Sequence, residues 1–221
     1  MRGDSNSPTN HTRKRRYLLQ GKKWDKTELT WALRKSSRHT SRLDSGTIRQ
    51  QFTTALQLWE KVSALKFTEV QKEAKNIDIY VDFMKGTHGD GYSFDGKGRK
   101  LAHAFYPGGG IGGDVHFDDD DHFVQHHLRE DGKTSLLITA AHELGHSLGL
   151  SHSDAPKALM APFYQDFGDE FELPQDDRYA IQTTPTPNDQ HTTSQTTPTP
   201  NDHHTTSQTT PTPTYTKHPP S

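Results

Sequence analysis

The chain contains no cysteine. That excludes a disulfide framework, a thiolate metal site and a thiol nucleophile, and it leaves the compartment open. No apolar run is long enough to cross a bilayer as a helix. Neither sign of charge dominates. The 26 basic side chains stand against 28 acidic ones, so no global field points to nucleic acid or a membrane surface as partner. Apolar residues are scarce, 29% of 221, and the scarcity is greatest from Thr183 onward. The rest has the composition of one ordinary soluble domain. What the chain has in excess is histidine, fifteen in all, the commonest metal ligand.

Residues 1–16 are polar and end in the basic run Arg13-Lys14-Arg15-Arg16. They read as a disordered leader. Met1 is followed by a stretch without the apolar core of a signal peptide, so the chain as it stands carries no export signal, or is a piece of a longer one. Residues 17–182 carry the pattern of a folded domain. Leu29–Leu33 predicts a strand. Ile48, Phe52, Leu56, Trp59 and Val62 recur at helical spacing and predict a helix over 45–65, with Ser45 as its cap. Phe67–Val70 and Ile77–Phe83 alternate apolar and polar residues as half-buried strands do. Short strands are expected at Leu101–Phe105 and Val115–Phe117, and helices over Leu136–Leu148 and Pro174–Gln182. From Thr183 a thirteen-residue unit appears twice, TTPTPNDQHTTSQ then TTPTPNDHHTTSQ, and a third copy begins at Thr209. This Thr/Pro tract, 183–221, cannot bury a core and is expected to be a disordered linker or a glycosylated stalk.

The informative stretch is AHELGHSLGLSH, residues 141–152. His142 and His146 are four apart and share one helix face, so both rings can grip one zinc ion. Glu143 projects toward the metal's open position. Gly149 lets the chain turn back and deliver His152 as third ligand. Three protein ligands leave a position for water, the mark of a catalytic site. A bare HExxH arises by chance, but five fixed positions make chance a poor explanation. Zinc would lower the pKa of bound water, and Glu143 would take its proton and pass it to the leaving amine.

HExxHxxGxxH identifies the chain as a metzincin. Ser153 follows the third histidine, and Ala158-Leu159-Met160-Ala161-Pro162-Phe163-Tyr164 resembles the Met-turn and specificity-pocket wall of the matrix metalloproteinases. The resemblance covers nearly all of 17–182. It implies an α+β zincin-like fold, a twisted five-stranded mixed sheet with three helices. Met160 would pack beneath the zinc rather than ligate it. It also implies a structural zinc on His88, Asp90, His103 and His116. One calcium would sit on Asp95, Gly96, Gly98, Lys100, Asp118 and Asp121, and a second on Asp78, Gly110, Gly112 and Asp114. Asp121 is shorter than the family's usual Glu. Leu101, Ala102 and Ala104 fall on the family's edge strand above the cleft, where an extended peptide can add as a further strand. Pro162, Phe163 and Tyr164 would line the pocket.

The activity implied is a secreted, monomeric, zinc-dependent endopeptidase acting on extracellular matrix proteins, collagen among them. The basic run Arg13–Arg16 resembles a proprotein-convertase site, whose cleavage would free Tyr17 to pair with Asp176 or Asp177. Three family features are missing from the chain: a cysteine switch, a signal peptide and a hemopexin-like domain. Two other readings stand beside the first. One is a catalytically silent metzincin fold in a mucin-like surface or matrix-binding protein. The other is an intracellular enzyme.

Overall fold

The structure, a computed structural model, describes residues 17–19, 22–38, 43–126, 133–183 and 213–217. The leader with its basic run and most of the repeat tract lie outside the described residues.

The strand β1 (Tyr17–Leu19) pairs antiparallel with β9 (Leu150–Ser153). The main sheet is built from β2 (Glu28–Lys35), β3 (Lys66–Glu69), β4 (Ile79–Met84), β5 (Lys100–Phe105) and β6 (Val115–Asp118). A short pair, β7 (Phe123–Val124) and β8 (Thr134–Ser135), leads into the helix α2 (Leu136–Ser147). The helix α1 (Ser45–Glu60) crosses from β2 to its parallel neighbour β3, and α3 (Gln175–Thr183) closes the domain. The expected five-stranded mixed sheet with three helices is therefore present.

It also gains a sixth strand. Residues 213–217, expected to stay disordered with the rest of the Thr/Pro tract, form β10 (Pro213–Lys217) on the outer side of β5. The order is β10-β5-β6-β4-β2-β3, with β5 antiparallel to both neighbours and the other pairs parallel.

Helix α1 starts because Asp44, not Ser45, caps it: the Asp44 carboxylate accepts from the Thr47 amide at 2.9 Å. It ends at Glu60, earlier than its apolar stripe suggests. Ile48, Phe52, Ala55, Leu56 and Trp59 form its buried face. That face packs on α2, and both helices share one core with Leu29, Trp31, Ile79, Val81 and Phe117 of the sheet. Every residue of α2 is buried. Two of its main-chain carbonyls are taken by indole donors. Trp59 Nε1 donates to the Ala141 carbonyl and Trp24 Nε1 to the Ser147 carbonyl, each at 3.0 Å. A helix that carries three polar, titratable side chains into such a core needs a compensating ligand for them.

Candidate active site

His142 and His146 sit one turn apart on α2, and His152 comes from β9. The turn between them depends on Gly149. Its φ is +103°, and a Cβ there would lie 2.5 Å from the Lys22 carbonyl oxygen. Ring centroids in the cluster are 4.7–5.4 Å apart. His142 Nδ1 lies 2.7 Å from the Leu159 carbonyl, and His146 Nδ1 lies 2.7 Å from the Leu150 carbonyl. A carbonyl only accepts, so both Nδ1 atoms carry the proton and both Nε2 atoms present lone pairs. Yet the two Nε2 atoms face each other at 3.1 Å. Burial, with the neighbouring histidines, holds both rings well below the ordinary histidine pKa, His142 at about 3, so neither is an imidazolium. Converging lone pairs at that distance could hold a cation. Glu143 is fully buried beside them, and its charge adds to the effect of burial in raising the Tyr106 phenol.

A second cluster joins His103 of β5 and its cross-strand neighbour His116 of β6 to His88 and Asp90 of the preceding loop. His88 Nε2, His103 Nε2 and His116 Nδ1 all approach Asp90 Oδ2, at 2.8, 2.8 and 2.9 Å. His88 Nδ1 already donates to the Gly86 carbonyl at 2.8 Å, so its Nε2 also offers a lone pair to an anion. Burial opposes ionisation of Asp90, but the Tyr92 amide and His103 bring its pKa down to about 2. In each cluster the ligand atoms lie within 4.8 Å of one another. Three nitrogens and a carboxylate with no further position fit a closed, structural zinc; three nitrogens alone fit an open one.

The matrixin (peptidase M10) family model matches residues 23–184. Matrix metalloproteinase-2 of Drosophila melanogaster is 46% identical over 187 residues, covering 81% of this chain and 24% of its own length. Matrix metalloproteinase-16 of Homo sapiens is 42% identical over 178 residues, covering 78% and 29%. Stromelysin-3 of Mus musculus is 44% identical over 170 residues, covering 77% and 33%. The chain belongs to the matrixin family of metalloendopeptidases. It spans between about a quarter and a third of the length of these matrixins.

Within this matrixin domain Met160 is buried under α2. A Cβ on Gly145 would run into its sulfur, so the HExxH glycine and the Met-turn are matched surfaces. The turn itself is held by Asp177, whose two carboxylate oxygens accept from the Leu159 amide at 2.7 Å and the Met160 amide at 2.9 Å. Leu159 in turn orients His142. Asp176 accepts from the Ser153 hydroxyl at 2.7 Å, and the backbone of Tyr17 pairs with Ser153.

In the acidic loop, Gly98 N donates to Asp121 Oδ1 at 2.7 Å and Lys100 N to Asp95 Oδ1 at 3.1 Å. Asp118 Oδ2 and Asp121 Oδ2 are buried without a hydrogen-bond partner. Burial, with the neighbouring carboxylates, pushes Asp121 up to about 7 and raises Asp118. That environment fits a calcium ion, which would restore both charges. The second set differs. Asp78 is held by Lys26 and Thr30, and Asp114 by the Tyr80 amide, with Arg34 3.5 Å away. Its carboxylates already have protein partners.

Pro162 and Phe163 are exposed, while the Tyr164 hydroxyl accepts from the Ser135 amide at the start of α2 at 3.0 Å. His126 belongs to no motif legible in the sequence. It is buried, with Nδ1 3.1 Å from the Ser135 hydroxyl and Nε2 2.8 Å from the Gly168 carbonyl. It ties the segment after the pocket wall to the cap of α2.

Proposed function

We propose that the chain is a zinc-dependent endopeptidase of extracellular proteins, including those of the matrix, with Glu143 as general base and then general acid. The observation that carries this is the pair of Nε2 lone pairs of His142 and His146 meeting at 3.1 Å, with His152 beside them and Glu143 buried at the same place. Zinc held by these three histidines would supply Lewis-acid polarisation of a peptide carbonyl and acidify a bound water. The backbone carbonyls of Leu159 and Leu150 accept from the two Nδ1 atoms and so fix the tautomers and ring planes, which commonly sharpens metal affinity. Glu143, adjacent in sequence to one ligand and sealed from bulk water, would take the proton of the attacking water and return it to the leaving amine.

The β5 edge at Leu101, Ala102 and Ala104 would hold substrate through main-chain hydrogen bonds, and Pro162, Phe163 and Tyr164 would shape the side-chain pocket. His88, Asp90, His103 and His116 would hold a structural zinc. Calcium is proposed at the loop of Asp95, Gly96, Gly98, Lys100, Asp118 and Asp121. At Asp78, Gly110, Gly112 and Asp114, Lys26 and Arg34 already supply positive charge, which argues against a second calcium drawn by carboxylates.

The test is cleavage of a quenched peptide library by the full chain before chelation, after chelation and after zinc is restored. Cleavage that is lost and regained supports the proposal. A chain that binds zinc and cuts nothing would favour the silent metzincin.

A further inference from the structure

The sixth strand raises a separate question, because it occupies the edge at which a peptide would have to add. β10 runs antiparallel to β5 over its whole length, from Pro213 opposite Phe105 through Tyr215 opposite His103 to Lys217 opposite Lys100. Its Cα trace also comes within 8 Å of that of α2, the helix that bears His142, Glu143 and His146. An extended segment bonded to β5 and flanked by that helix has the placement of an added substrate strand.

The sequence explains why this part of the tail, rather than another, can do it. The first two repeat copies continue TTPTP with Asn-Asp-Gln-His and Asn-Asp-His-His. Asn and Asp are poor strand residues. The third copy continues with Thr214-Tyr215-Thr216-Lys217, in which Thr and Tyr are good ones. Pro213 stands at the first position of the strand, where proline is tolerated. The repeat thus changes composition where the strand forms.

We infer that the C-terminal segment Pro213–Lys217 is an intramolecular competitive inhibitor, a strand of the chain's own that must leave β5 before a substrate can pair there. This rests on the proposed use of the β5 edge by substrate. Residues 184–212, 29 in number, tether the strand to the domain. Short tethers give effective concentrations in the millimolar range. A five-residue strand is a weak ligand, so the expected inhibition is modest, about two- to tenfold in KM.

In an antiparallel pair, successive residues of one strand turn their N–H groups alternately toward and away from the neighbour. Of Thr214 and Tyr215, one therefore faces β5. The double variant Thr214→Pro with Tyr215→Pro removes that donor whichever it is. In the full-length, zinc-loaded chain this variant is expected to speed amide exchange at Leu101–Phe105. It should lower KM for a quenched peptide about two- to tenfold with kcat unchanged. A fluorescent peptide of sequence 209–221 should bind the variant several-fold more tightly than the wild type.

Unchanged exchange, or equal binding of the peptide to both chains, would overturn the pairing. Faster exchange with an unchanged KM would overturn the inhibition. So would removal of the tail by self-cleavage, seen by intact mass, since the segment would then be a substrate. If no form of the chain hydrolyses peptide, the endopeptidase reading fails, and exchange and peptide binding still decide whether β10 guards the edge.

Discussion

His142 and His146 point their Nε2 atoms at each other across 3.1 Å while each Nδ1 donates to a main-chain carbonyl. No proton is available to make that approach a hydrogen bond. A cation held between the two lone pairs would make that approach favourable. His142→Ala is expected to lower bound zinc from two ions to one, with hydrolysis lost. It also leaves the buried Leu159 carbonyl without its donor, at a cost of about 1–3 kcal/mol. Elemental analysis of the purified variant checks this. Two zinc ions in His142→Ala would remove His142 from the ligand set.

The second cluster is held together by one oxygen, Asp90 Oδ2, with three ring nitrogens around it. Asp90→Ala is expected to lose the other zinc and to lower the melting temperature by at least about 5 °C, given 2–4 °C per kcal/mol for a domain of this size. The zinc of His142, His146 and His152 should stay. Metal content and thermal unfolding measured together test it, and an unchanged melting temperature would argue that the cluster is not structural.

Gly149 joins α2 to the strand carrying His152, at φ +103° and against the Lys22 carbonyl. Gly149→Ala combines backbone strain with a clash against main chain. The expected cost is about 1–3 kcal/mol from the strain alone. Urea unfolding gives the cost, and zinc affinity shows whether His152 has moved. Wild-type stability and affinity in this variant would mean the turn can reorganise.

Asp177 gives a pH signature. Burial raises its pKa from 3.8 to about 6, against the lowering effect of the Met160 and Leu159 amides. The unfolded chain therefore releases this proton first as pH rises, while the folded chain keeps it. Stability from this group is complete below pH 4 and is lost as pH climbs through about 6. Asp177→Asn does not titrate. The stability advantage of wild type over Asp177→Asn should shrink by about 2–3 kcal/mol between pH 4 and 7. A difference that is flat or grows over that range would contradict the assignment.

The parts of the site that were legible in the sequence are those whose spacing is fixed by one element. His142, Glu143 and His146 lie within about one turn of α2, and Gly149 and His152 follow in the turn and strand just beyond it. Asp90 and His103 needed the family resemblance, because nothing in a linear pattern says that one oxygen will face three rings. His126 was not legible at all, and Asp177 was legible only as a partner for Tyr17, not as the group that holds the Met-turn. Each holds main-chain groups tens of residues away, the Gly168 carbonyl and the Leu159 and Met160 amides, and an acid in the first turn of a helix ordinarily reads as a response to the helix dipole. Asp44 and Ser45 are both good caps, and only the backbone chooses between neighbours. β10 was hidden by composition. A Thr/Pro tract looks like a stalk, and the four residues that make it a strand are visible only when the third repeat is set against the first two.

Glu143 bears the central claim, since it is a buried carboxylate next to His142 on α2 that is not among the proposed zinc ligands. The most direct test is hydrolysis of a quenched peptide by the full chain and by Glu143→Ala at equal, measured zinc content. Both proteins should hold zinc at both clusters, and the variant should be slower by about 10²–10⁴-fold in kcat. Equal rates at equal zinc would contradict Glu143 as the proton carrier.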